Sequence, residues 1–307
     1  MLSQGIKVRA LVRPTRKEIQ WIGSSQVEIV RGDLLDPPSL VSAVQGADYI
    51  IHIAGVTKAK RNNEYYEGNV TATRNLLDAA SHLPSLKKFC HVSSLTVVGP
   101  SDGPEPPNEN TLCRPISTYG RSKWEAEKVC LEYGSTIPLV ILRPPTVYGP
   151  RDRDVLEMFK AARLGIQPTI GSADKTLSLI YGPDLAEAIV LATLSEKTVG
   201  KTYFAADPTI YRQAALFDIL TTMMGKKSVR VKFPAPLLYS VAVVVQAFSF
   251  FGPKPAILSI EKARDLLQDH WTCNPERIGN DIGFRARTNA EQGLRLTYLW
   301  YKVNGWL

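Results

Sequence analysis

The stretch from Cys90 to Lys128 constrains the fold more than any other part of this 307-residue chain. It opens on Cys-His-Val-Ser-Ser, an apolar run that predicts a buried strand delivering Ser94 at its C-terminal edge. A loop rich in Pro, Asn, Asp and Glu follows over 100–116. Then comes Ser117-Thr-Tyr-Gly-Arg-Ser-Lys123-Trp-Glu-Ala-Glu-Lys128, which predicts a helix. Ser117 and Thr118 are residue types preferred at N-caps, and Trp-Glu-Ala-Glu-Lys is tolerated or favoured in helices. On a helix Tyr119 and Lys123 are four apart and share a face. A phenol ordinarily loses its proton near pH ~10. A nearby ammonium favours the phenolate, and a tyrosine tuned in this way exchanges a proton with a substrate oxygen. Ser94 would add a hydrogen bond to the same oxygen.

The spacing alone says little. The chain has 12 Tyr, and about 0.7 chance Tyr-x-x-x-Lys matches are expected at its lysine content. Tyr298 and Lys302 repeat the spacing within Leu-Arg-Leu-Thr-Tyr-Leu-Trp-Tyr-Lys, an amphipathic run that reads as packing. The first pair differs in context: strand, Ser-Ser, loop, Tyr-Gly-x-Ser-Lys helix, then an apolar strand over 137–143.

Ser93-Ser94-x-x-Val-x-Gly99, Tyr119-Gly-Arg-Ser-Lys123 and Leu142-Arg-Pro-Pro-Thr-Val-Tyr-Gly-Pro-Arg151 together resemble the extended short-chain dehydrogenase/reductase family. The likeness is to its 3β-hydroxysteroid dehydrogenase and NAD-dependent epimerase/dehydratase branches. It implies a doubly wound parallel α/β sheet of Rossmann type, with 1–151 as the dinucleotide-binding domain. Residues 152–307 are then mainly a smaller substrate lobe, with some segments returning to the core sheet. Such a fold begins with a strand, a Gly-rich turn and a helix, about 20 to 25 residues in all. The first 35 residues hold no such turn, so the expectation is a fold lacking its first βα unit, a start codon assigned too late being the expected cause. No phosphate-loop residue is assigned.

The resemblance also implies roles. Ser94, Tyr119, Lys123 and Asn69 are the catalytic set, with Asn69 supporting Lys123 and a relay water. Arg13, with Arg16 and Lys17 behind it, ends the strand Ile6–Arg13 where NAD-preferring relatives carry an acidic residue. An arginine there accommodates a 2′-phosphate, which favours NADP over NAD; a solvated basic turn is the other reading. Asp33 and Leu34, after the strand Val27–Arg31, lie beside the adenine, although Asp33 also suits the opening of a turn. Ala54 and Gly55, ending the strand Tyr49–Ile53, are small enough for a cofactor to lie close. Tyr119, Lys123, Pro144, Thr146 and Val147 face the nicotinamide. Thr146 stands where sugar-nucleotide enzymes commonly have Asn.

The remaining segments read as helices over 38–44, 64–80, 155–164, 184–192, 216–224, 261–268 and 289–303, and as strands over 177–180 and 201–205. A net charge of +8 and a pI near 9.2 imply attraction to anions such as a phosphorylated cofactor or an acidic membrane surface. No basic run with interleaved aromatics points to nucleic acid. Four cysteines and four histidines fall in no metal-ligand or disulfide spacing, which fits a reduced, cytoplasmic setting without a bound metal.

Leu237 to Phe251 runs 15 residues without a charge, short of the ~20 that span a bilayer. Three readings stand: a core helix, the lining of a pocket for a bulky apolar substrate, or a peripheral membrane contact. The function expected is an NAD(P)-dependent oxidoreductase interconverting a secondary alcohol and a ketone on a hydrophobic, steroid-like small molecule, in a chain that could form a homodimer. The alternatives are a sugar-nucleotide epimerase or dehydratase and, because the glycine turn is missing, a non-catalytic cofactor-sensing or scaffold protein.

Overall fold

The computed structural model describes residues 1–2, 5–14, 26–171, 175–249, 252, 255–256 and 258–307. Arg16 and Lys17 lie outside them. The first half of the chain alternates strands and helices: β1 (Val8–Val12), β2 (Val27–Arg31), α1 (Pro37–Val44), β3 (Tyr49–His52), α2 (Asn62–Tyr66), a π-helical turn (Glu67–Thr71), α3 (Ala72–Ser81), β4 (Lys88–Val92), α4 (Thr118–Glu132), β5 (Leu139–Arg143) and β6 (Thr146–Tyr148). The second half carries α5 (Leu156–Arg163), β7 (Ile166–Ile170), β8 (Thr176–Leu177), β9 (Leu179–Tyr181), α6 (Gly182–Leu194), β10 (Lys201–Phe204) and β11 (Tyr211–Arg212). It ends with α7 (Gln213–Met223), β12 (Val229–Phe233), α8 (Ala235–Ser249), α9 (Ile260–Leu267), β13 (His270–Trp271), α10 (Glu276–Ile282) and α11 (Ala290–Val303).

The central ladder runs β10-β5-β4-β3, every pair parallel. β4 and β5 are buried along their whole length, which is why they read as unbroken apolar runs. Their side chains alternate between two cores, as the period of a strand requires. Phe89, Leu139 and Ile141 meet Leu40, Leu76, Leu77 and Val129 from α1, α3 and α4. Cys90, Val92, Val140 and Leu142 meet Leu185, Ile189 and Ile278 from α6 and α10. Helices therefore cover both faces, the doubly wound α/β arrangement the sequence predicts. β10 and α6, which lie beyond residue 151, belong to this sheet and its cover.

β1 and β2 form a separate parallel pair. Among the described residues β1 has no ladder partner besides β2, and β3 none besides β4. The flank of β3 is correspondingly open: Ile53, at its end, is 62% exposed.

A second core joins Tyr148, Phe159, Tyr181, Phe217, Leu294 and Tyr301 across α5, α7 and α11. Here Tyr298 stacks on Phe159 and Lys302 lies over the Tyr298 ring at 5.6 Å, so the second Tyr-x-x-x-Lys pair is packing. The helix expected over 64–80 is interrupted by the π-helical turn at Glu67–Thr71. Over 237–251 the core-helix reading fails. Within α8 only Leu238 and Ala242 are buried, and residues 250 and 251 lie outside the described residues. The pairing of β7 with β12 was not foreseen, because Pro168, Arg230 and Lys232 interrupt any apolar run.

Candidate active site

Each residue of the Ser-Ser and Tyr-Gly-x-Ser-Lys motifs has a local physical reason. β4 ends at Val92, and Ser94 caps the short 3₁₀ turn Leu95–Val97, its hydroxyl accepting from Thr96 N at 3.2 Å. Gly99 has φ +87°, and a Cβ there would sit 2.4 Å from the Arg114 carbonyl. That close approach needs glycine. α4 is capped by Ser117, whose hydroxyl accepts from Gly120 N at 3.2 Å. A Cβ on Gly120 would stand 2.7 Å from the Thr96 carbonyl. Glycine therefore lets the start of α4 press on the turn after β4, which brings Tyr119 to Ser94. The Ser122 hydroxyl donates to the Tyr119 carbonyl at 2.8 Å and accepts from Asn69 Nδ2 at 2.8 Å.

Asn69 is buried within the π-helical turn, a distortion often found at functional sites. Its side chain pairs with Val56 as a second backbone would: Oδ1 accepts from Val56 N at 2.7 Å and Nδ2 donates to the Val56 carbonyl at 3.0 Å. Asn69 thus fixes the segment at Val56 and, through Ser122, α4. Its side-chain bonds go to these partners rather than to Lys123. The Lys123 ammonium instead donates to the Val92 carbonyl at 2.7 Å.

The electrostatics differ from the expectation that Lys123 lowers the Tyr119 pKa. Burial raises the phenol above its ordinary value, a hydrogen bond with Ser94 pulls it down, and the Tyr65 phenol pushes it up. Burial also takes Lys123 down to about 8, against the opposing pull of Glu127. Desolvation disfavours both charged forms, so the pair rests as neutral phenol and marginal ammonium. A neutral phenol is the form that donates a proton to a carbonyl oxygen. His52 and His91 lie near Lys123 and are held neutral by burial, His52 pushed down to about 3.

Gly55 and Pro144, two of the residues expected to face the nicotinamide end of a dinucleotide, lie against this group. A Cβ on Gly55 would stand 2.9 Å from Asn69 Oδ1 and 3.9 Å from Lys123 Nζ. Ala54, Gly55, Thr146 and Val147 are exposed, whereas Pro144 is buried. The Pro144 carbonyl accepts from Leu95 N at 2.8 Å, which ties it to the Ser94 turn. At the other end Arg13 is exposed, and its carbonyl accepts from Arg31 Nη1 at 3.3 Å. Asp33 Oδ1 accepts from Leu35 N at 3.0 Å, the turn-opening role, and Asn75 holds the Leu34 carbonyl at 2.8 Å.

Two groups escaped the sequence reading. Tyr65 on α2 lies 6.4 Å from Tyr119, ring centre to ring centre. Glu261 on α9 reaches back 143 residues to the start of α4. Its Oε1 accepts from Thr118 N at 2.9 Å, Thr118 Oγ1 at 2.6 Å and Arg121 Nη2 at 3.2 Å. It acts as a borrowed N-cap at the positive end of the helix. Glu261→Ala is expected to lose about 2 kcal/mol of stability and roughly tenfold in kcat as Tyr119 loosens, with Glu261→Gln recovering part of both. Thermal melts and steady-state rates of the two variants check this. Beside this corner Val98, Pro106, Leu112, Ile116 and Gln268 help to line a cavity of about 760 Å³ under the 100–116 loop.

The sequence pattern of the NAD dependent epimerase/dehydratase family matches residues 1–206, and the chain belongs to that family. It is a nicotinamide-nucleotide-dependent enzyme of the extended short-chain dehydrogenase/reductase type. It is 28% identical over 318 residues to a ceramide reductase of Caulobacter vibrioides, covering 100% of this chain and 90% of that protein. It is 27% identical over 314 residues to a 2-alkyl-3-oxoalkanoate reductase of Shewanella oneidensis, covering 96% and 80%. The fold matches the UDP-glucuronic acid 4-epimerase of Bacillus cereus in complex with NAD, with a TM-score of 0.76 and 22% identity over 97% of this chain and 90% of that one.

Proposed function

We propose that this enzyme interconverts a ketone and a secondary alcohol on an apolar or amphiphilic small molecule, steroid-like or acyl-chain-bearing, with NADP preferred over NAD. The observation that carries the reading is the hydrogen bond of Tyr119 with Ser94, just past the end of β4, and that of Lys123 to the last carbonyl of the same strand, at the C-terminal edge of a parallel sheet, where open α/β sheets bind their ligands. When bound, the nicotinamide supplies or accepts the hydride at the substrate carbon. In the reducing direction the neutral Tyr119 phenol gives its proton to the carbonyl oxygen. Ser94 hydrogen-bonds the same oxygen and stabilises its developing charge. Lys123, as an ammonium, holds the nicotinamide ribose. Asn69 keeps Gly55 and α4 in place around it.

Ala54, Gly55, Pro144, Thr146 and Val147 enclose the nicotinamide, and Asp33 and Leu34 the adenine. Residues 1–151 hold the nucleotide, and most of 152–307 forms the substrate lobe, with a homodimer as part of the same proposal. The reductases to which the chain is similar act on ceramide and on 2-alkyl-3-oxoalkanoates, by their names, which supports a lipid-like ketone. Sugar-nucleotide turnover is the competing reading, favoured by the family and by the epimerase fold. A long-chain 3-oxo amphiphile should be reduced while a UDP-sugar neither turns over nor inhibits; UDP-sugar turnover would reverse the assignment.

Cofactor choice has its own test. Arg13→Ala is expected to raise the Kd for NADPH roughly tenfold, the worth of one charge-assisted contact, and to leave NADH unchanged. Nicotinamide fluorescence titration reads both. Equal weakening of the two cofactors would remove Arg13 from the 2′-phosphate.

A further inference from the structure

Residues 219–260 contain no aspartate or glutamate, yet they hold Lys226, Lys227, Arg230, Lys232 and Lys254. That one tract carries +5, against +8 for the whole chain; Lys254 lies outside the described residues. In β12, Arg230 and Lys232 are exposed and alternate with the exposed Val229 and Val231. After Pro234 the chain enters α8, which has no charged residue.

Leu237, Val241, Val244 and Phe248 fall at i, i+4, i+7 and i+11, so they form one stripe. They are 48%, 44%, 53% and 74% exposed. Leu238 and Ala242, on the adjoining side, pack on Ala263 of α9. The polar side chains of α8 are engaged with backbone: the exposed Ser240 donates to the Pro236 carbonyl, Ser249 to the Gln246 carbonyl, and Gln246 accepts from Ile260 N. A soluble surface helix normally carries its charges on the outer face; this one carries none and is flanked in sequence by cations.

We infer that α8 and β12 dock the protein on a membrane surface bearing anionic lipid. The stripe enters the boundary between headgroups and acyl chains, and the cations of 226–232 meet the lipid phosphates. The helix lies in the surface rather than across it, since no helix among the described residues is long and apolar enough to cross a membrane. Charge decides between lipid and a second copy as the occupant. A symmetric dimer through this face would set two acid-free, cationic tracts against each other, whereas an anionic surface complements them. α9 supports α8 from within and holds the start of α4 through Glu261, so the docked face adjoins the end of the helix that carries Tyr119. The inference stands on the surface alone and does not depend on the redox reading.

Co-sedimentation of the purified full chain with vesicles tests it, comparing phosphatidylcholine alone with vesicles containing about 30% phosphatidylserine. Each cation near such a surface is worth a factor of about five, so binding to the anionic vesicles should be at least roughly tenfold tighter and should weaken with salt. Val244→Asp/Phe248→Asp, at exposed positions that leave the fold intact by circular dichroism, should abolish binding. Arg230→Glu/Lys232→Glu should erase the preference for phosphatidylserine. The proposal is overturned by a folded chain that ignores both vesicles, by equal binding to both, or by undiminished binding of the stripe variant. A dimer in light scattering that the stripe variant splits, with no vesicle binding, would assign the face to a second copy.

Discussion

Tyr119→Phe is expected to lower kcat for ketone reduction about 10³-fold, within the range for loss of a positioned general acid, while the Kd for NADPH stays within about twofold. The phenol is hydrogen-bonded to Ser94, and phenylalanine keeps the ring contact with Tyr65 while removing only the hydroxyl. Ser94→Ala should cost about 10²-fold by the same logic, because it removes one donor to the developing oxyanion. The two losses should not multiply in the double variant, since Ser94 also holds the Tyr119 hydroxyl and the groups act as a unit. Stopped-flow hydride transfer with saturating NADPH isolates the chemical step. Turnover of Tyr119→Phe within tenfold of the parent would remove Tyr119 from the proton transfer.

The grouping of Ser94 with the Tyr119 and Lys123 helix was legible because its signals are local. Strand, Ser-Ser and capped Tyr-Gly-x-Ser-Lys helix are each set by neighbours in sequence, and the parallel sheet follows from apolar runs separated by helices. What escaped the reading depends on the fold. Glu261 shows no pattern of its own; its role exists only because α9 packs against the start of α4. The direction of the Tyr119 shift was misjudged because spacing shows which groups are near and says nothing about how deeply they are buried. Here burial outweighs the Ser94 hydrogen bond, and Lys123 is spent on the Val92 carbonyl. In α8 the same apolar letters serve a core or an outer face, and only the packing on α9 shows which side is left open. The break in the 64–80 helix falls at Asn69, whose side chain mimics a backbone partner for Val56 within the π-helical turn.

Glu127→Gln is expected to be the costliest single change to stability. Arg143 ends β5 just before the Pro144 turn, and its Nε and Nη2 meet Glu127 at 3.0 and 2.6 Å with both side chains buried. Arg143 Nη1 already lacks a partner among the described residues. Removing the carboxylate charge leaves a buried guanidinium uncompensated, a loss of about 3–5 kcal/mol and a Tm drop of roughly 5–10 °C. Glu127 also sits one turn beyond Lys123 on α4 and opposes the burial that takes its ammonium down to about 8. The sign follows: without Glu127 the Lys123 pKa falls further, and activity that needs the ammonium is lost at a lower pH. The two effects separate in Glu127→Leu/Arg143→Met, which replaces the ion pair by apolar groups of similar size. Such replacements are often neutral or stabilising, so the double variant should recover most of the lost Tm, while its high-pH limb in kcat/KM stays displaced toward lower pH. A limb that returns with the Tm would make Glu127 a packing partner of Arg143 alone. A limb that stays displaced ties this buried carboxylate to the charge state of Lys123.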